Sequence, residues 1–132
     1  MHRTDWTGVL IVDPDPRERD RLAREVEACG WWAVTAPDAA AAVEVCAERR
    51  LELGAAVVDL QLPGLQGSHV LAELGRLAPG LARFAMAAGL PPYTVAAFRR
   101  LSDTPLLSKP VRGAELVAAV REAAAGRPLA AH

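Results

Sequence analysis

At 132 residues, with 52% hydrophobic and 23% charged side chains, the chain has the size and mix of one domain with a proper core, and two domains would not fit comfortably. A formal net charge of -1, with acids and bases interspersed, provides neither a basic stripe for direct nucleic-acid binding nor an acidic tail. The polar start "MHRTDWTG" has no apolar signal core, and no apolar run approaches the roughly 20 residues of a membrane span, which reads as a cytoplasmic protein away from membranes.

In chain order, "VLIV" (9–12) is a short apolar run, and residues 16–29 follow with Leu22, Ala23, Val26 and Cys29 at helical spacing. Gly30 closes that helix and "WWAVT" (31–35) reads as a second strand, with Trp31 and Trp32 on opposite faces. Asp38 can cap a second helix running through about Arg50. The third strand is "AAVVDL" (55–60), stopped by Pro63-Gly64, and a helix from Gly67 to Ala78 turns Val70, Leu71, Leu74 and Leu77 inward. The last strands are "RFAMAA" (83–88) and "PLLS" (105–108); the last helices are "YTVAAFRRL" (93–101) and "RGAELVAAVREAA" (112–124). Cys29 and Cys46 fall within helical patterns, lack Cys-x-x-Cys spacing and a nearby His, and read as buried, reduced thiols.

Five apolar strands alternating with five helices imply a doubly wound α/β domain with a parallel sheet covered on both faces. In such folds the ligand site lies at the carboxyl ends of the strands, near the switch in strand order. Asp13 ends the first strand, Asp59 the third and Lys109 the fifth, so all three should face one crevice. If the order is 2-1-3-4-5, strands one and three are neighbours and the two aspartates stand close together.

The segments "VLIVDPDPRERDRL", "AAVVDLQLPGLQG" and "PLLSKPV" resemble, at matching spacing and in the same order, the receiver domains of two-component response regulators. The similarity covers roughly residues 8–125, leaving residues 1–7 as an extension and 126–132 as a tail. The resemblance implies a flavodoxin-like fold and a phosphoryl-accepting module, supplied by a histidine kinase or phosphotransfer protein. Asp59 matches the acceptor and Lys109 the lysine that pairs with the phosphoryl group. A carboxylate that attacks phosphorus approaches a group already negative, so a divalent cation and an ammonium are needed to neutralise the developing charge. Asp13, Asp59 and the backbone carbonyl of Gln61 match a magnesium site.

The sequence departs from that family pattern at three positions. Where the family has a second metal-binding acid, this chain has Pro14; the hydroxyl residue at the end of strand four is Ala87; and the aromatic residue three before the lysine is Leu106. These departures imply an atypical receiver whose magnesium binding is weak or absent. By stereochemistry, "DPDP" (13–16) reads as a strand stop followed by a helix start, with Asp15 capping the helix and Pro16 in its first turn, so Asp15 does not replace the missing ligand. Lys109 is the single lysine beside fourteen arginines, which suits a role needing a compact ammonium; the plainer alternative is an ion pair with Asp59 that stabilises the pocket.

Other polar residues have blander readings. His69 reads as an exposed helix residue, His2 and His132 are terminal, and Gly64 and Gly67 serve a loop without forming a nucleotide-binding fingerprint. No general base, nucleophile relay or cofactor loop can be assigned, which argues against an enzyme. No output domain follows the receiver-like region, so the expected role is a stand-alone receiver that accepts a phosphoryl group on Asp59 and acts on a downstream protein partner. The alternative is a phosphorylation-independent interaction module on the same fold.

Overall fold

The computed structural model describes residues 7–62 and 67–125. Strands and helices alternate throughout: β1 (Gly8–Val12), α1 (Pro16–Ala28), β2 (Trp32–Ala36), α2 (Ala39–Arg49), β3 (Leu53–Asp59), α3 (Gly67–Leu77), β4 (Ala82–Ala87), α4 (Pro92–Leu101), β5 (Leu106–Ser108) and α5 (Gly113–Ala125). The strands form one parallel sheet, as the alternation predicts, and their order is β2-β1-β3-β4-β5, the one that makes strands one and three neighbours. The expected extension and tail lie, apart from Thr7, outside the described residues, as do Pro63, Gly64, His2 and His132.

The sheet separates two apolar layers. On one side Val9, Ile11, Val57 and Phe84 pack with Leu22 and Val26 of α1 and with Leu116, Val117 and Val120 of α5. On the other, Leu10, Val12, Ala56 and Val58 pack with Ala42 and Cys46 of α2 and with Val70, Leu71 and Leu74 of α3. The central strands are apolar on both faces because both faces are covered, so β1 and β3 read as continuous apolar runs rather than alternating ones.

Local differences from the sequence reading have local causes. β2 begins at Trp32, whose N–H donates to the Thr7 carbonyl at 3.1 Å, and it ends at Ala36 opposite Val12. Trp31 precedes the strand and is buried in the α1–α5 layer beneath the Arg121 guanidinium, 5.5 Å from its ring; Trp32 is half-buried on the opposite layer, under Arg49. β3 starts at Leu53, earlier than its apolar run, because Gly54 interrupts the run without interrupting the strand. Cys46 is buried, and burial pushes its thiol pKa up; Cys29 is only partly buried, because it is the C-cap of α1 where the helix leaves the core. Among the described residues no helix is long and apolar enough to cross a membrane.

Candidate functional site

β1 and β3 are adjacent, so their carboxyl ends bring Asp13 and Asp59 to one place, and both are buried, at 1% and 3% exposure. Lys109 follows β5 by one residue, and its N–H donates to the Ala87 carbonyl at 2.9 Å, extending the β4 pairing past the strand end. Its side chain crosses the end of β4 to reach both acids. Lys109 Nζ stands 2.8 Å from Asp59 Oδ2 and 2.9 Å from Asp13 Oδ2. The Lys109–Pro110 peptide bond is cis.

The remaining carboxylate oxygens are engaged by the chain itself. Asp13 Oδ1 accepts from the Asp15 N–H at 2.9 Å, and Asp59 Oδ1 accepts from the Gln61 N–H at 2.8 Å. Each aspartate thus closes a turn onto the residue two positions later, which fixes its rotamer and leaves the second oxygen for the ammonium. Two carboxylates and one ammonium leave one negative charge uncompensated in a buried pocket. Burial opposes the charge of Lys109, but hydrogen bonds to Asp59 and then Asp13, with their charges, outweigh it and hold the ammonium above its ordinary pKa.

Asp15 acts as its stereochemistry predicts. It is exposed, it has extended backbone, and its side chain accepts from the Arg17 N–H at 2.9 Å, with Pro16 opening α1. It therefore faces the helix end and adds no ligand, and Pro14 has no side-chain oxygen to offer. Each of the four oxygens of Asp13 and Asp59 accepts one hydrogen bond and retains a second lone pair, so the pair fits a cation held by two carboxylates, with the backbone carbonyl of exposed Gln61 as the further candidate ligand. Among the described residues no cluster of three or more His, Cys, Asp or Glu could supply a fuller set.

The three departures lie around this centre. Ala87 is buried, and its partner across β4 and β5 is Ser108; with Leu106, Val95, Arg99 and Lys109 they line a cavity of about 130 Å³. Gly67 lets α3 start against the end of β3: a Cβ there would stand 2.3 Å from the Asp59 carbonyl oxygen, so a larger residue would push on the strand end that carries Asp59. His69 is exposed on α3 and joins no cluster.

Sequence reasoning missed the arginines that brace the site. Arg19 Nη1 donates to the Asp13 carbonyl at 3.0 Å, and Arg21 Nη2 donates at 2.8 Å to the carbonyl of Val111, two residues past Lys109. The second contact spans 90 positions, and no local pattern signals it.

A sequence model of the response regulator receiver domain family matches residues 9–121. The chain is 35% identical to the Positive alginate biosynthesis regulatory protein of Pseudomonas aeruginosa, over 88% of this chain and 46% of that protein. It is 36% identical to the Transcriptional regulatory protein FixJ of Azorhizobium caulinodans, over 86% of this chain and 53% of the other. The chain spans about half, or less, of the length of the curated relatives it matches. Its fold superposes on a response regulator receiver domain protein from Clostridium thermocellum with a TM-score of 0.78 at 19% identity, covering 89% of this chain and 93% of that one.

Proposed function

The chain belongs to the response regulator receiver domain family of two-component signalling, and from that premise we propose that Asp59 accepts a phosphoryl group from a phosphohistidine donor. The observation that carries this reading is the single ammonium of Lys109 held between the buried carboxylates of Asp13 and Asp59. An Asp59 oxygen attacks phosphorus, the P–N bond to the donor imidazole breaks, and the electron pair returns to that nitrogen. Lys109 then keeps its contact with Asp13 while its remaining protons turn to the phosphoryl oxygens. The Gln61 N–H holds the other Asp59 oxygen, so the carboxylate does not rotate away.

Magnesium, when bound, would neutralise phosphoryl charge, with Asp13, Asp59 and the Gln61 carbonyl as its protein ligands. Pro14 contributes no ligand, so the site binds it weakly. The donor is a histidine kinase or phosphotransfer protein, and the output is contact with a downstream protein. Intact mass after incubation with acetyl phosphate and magnesium tests the assignment: wild type gains one phosphoryl and Asp59→Asn gains none.

The same cluster also suits a phosphorylation-independent role. With Ala87 and Leu106 in place of a hydroxyl and an aromatic ring, the ion-paired cluster of Asp13, Asp59 and Lys109 can serve as the fixed frame of a constitutive interaction module. Absence of a mass gain on wild type would favour it.

A further inference from the structure

Arg83 breaks the pattern of β4. Strand alternation places it on the face of Ala85, toward the α2–α3 layer, where the other strands carry apolar residues. It is half-buried, and its guanidinium lies against the middle of α3, where Nη1 donates to the Leu71 carbonyl at 2.8 Å. α3 accommodates it with a second off-pattern residue. Gly75 stands inside the helix, and a Cβ there would come within 2.3 Å of Arg83 Nη1. A helix-interior glycine that makes room for an inward-facing arginine is a built feature, since either residue alone weakens its own element.

That guanidinium has no acidic partner among the described residues; the Leu71 carbonyl takes one donor and leaves the others of its fork open. Arg83 borders a cleft of about 400 Å³ between α3 and α4, within the range of small-molecule sites. One wall is apolar, made by Leu71, Phe98 and Leu101, the last 80% exposed; Ser68, Ser102 and Thr104 supply hydroxyls at its margins.

We propose that the α3–α4 cleft binds a small amphipathic monocarboxylate, its carboxylate paired with the Arg83 guanidinium and its apolar body lying on Phe98, Leu71 and Leu101. The planar fork suits a carboxylate held through two parallel hydrogen bonds. One cation matches one negative charge, and a phosphate dianion would leave a charge unpaired beside apolar side chains. The site is separate from Asp59 and does not depend on its phosphorylation.

The probe is 4-phenylbutyrate, titrated into the full chain by calorimetry and by backbone NMR, with 4-phenylbutanamide and phenyl phosphate as comparators. Saturating shifts should appear at Leu71, Phe98 and Thr104, at least tenfold tighter for the carboxylate than for either comparator. Arg83→Met should weaken binding at least tenfold, and Gly75→Ala, which displaces the guanidinium while favouring the helix, should weaken it severalfold; Asp59→Asn should bind as wild type. Equal binding of the neutral amide, unchanged affinity in both Arg83→Met and Gly75→Ala, or no saturable shift in wild type would overturn the proposal.

Discussion

The α1–α5 side and the α4 side of the molecule are built to different standards. α1 begins with the Asp15 cap, buries Leu22 and Val26, and is tied to the start of α5 by Glu25, whose carboxylate accepts from the Gly113 N–H at 2.7 Å. Arg21 joins Glu18, Glu25 and the Val111 carbonyl, and Gly113 lies so close that a Cβ would stand 2.4 Å from the Glu25 Cβ. α4 has no buried residue and no side-chain cap, and Tyr93 is 77% exposed. The well-packed side carries Asp13 at one end and grips the chain just after Lys109 at the other, so it sets the geometry of the acidic cluster. The α4 side borders that cluster through the cavity beside Ala87. On the proposed reading, positioning and response would fall to different faces, and Ala87 and Leu106 would leave them without the hydroxyl and the ring that couple them.

The largest effect expected from breaking this arrangement is at Lys109. Lys109→Met leaves two buried carboxylates facing each other without a cation and should cost about 3 kcal/mol or more at neutral pH in urea unfolding. The pH dependence follows from the sign of the shift. Because the folded pKa lies above the ordinary 10.5, the stabilisation is complete below that value and is lost as pH rises through the folded pKa. Lys109→Met should lack this alkaline limb.

Truncations compare the two sides directly. Leu22→Ala, in the α1–α5 layer, should cost about 3 kcal/mol, whereas Val95→Ala on α4 should cost under about 1 kcal/mol. Similar losses in chemical denaturation would erase the distinction. At the metal position, Pro14→Asp adds a charged oxygen and should raise magnesium affinity on the order of tenfold. Equal affinities in a calorimetric titration would place the missing ligand elsewhere.

The smallest expected effect is at Glu25. The Gly113 N–H, opposed by burial and helped by Arg21, holds its carboxyl below the ordinary 4.5. A lowered folded pKa contributes stability that is present above the unfolded value and lost as pH falls through the folded one. Glu25→Gln should therefore lose under about 1 kcal/mol at neutral pH and show a shallower acid limb below about pH 4.5.

Much of this molecule is legible in its sequence because the signals are local. Apolar runs alternate with helical spacing, and Asp13, Asp59 and Lys109 each stand where a strand stops, so topology alone gathers them. The Asp15 cap and Pro16 start are stereochemical and were readable without knowing the fold. Contacts between distant segments were not. Arg21 with Val111 and Glu25 with Gly113 depend on how α1 and α5 lie together, and neither residue carries a pattern that names its partner. Arg83 and Gly75 are an intermediate case: each breaks its own element's pattern, but only the packing of β4 under α3 shows that they answer one another.

On the proposed reading, Asp59 receives the phosphoryl group on a frame whose α4 face does not respond. With Ala87 unable to donate a hydrogen bond and Leu106 lacking a ring to rearrange, phosphorylation has little differential free energy with which to bias two states of that face. Backbone NMR with beryllofluoride as a phosphoryl mimic measures this directly. Shifts should appear at Asp13, Asp59, Gln61 and Lys109, with Tyr93, Phe98 and Leu106 nearly unchanged. Large shifts spreading across α4 and β5 would contradict it and show that the face switches by another route.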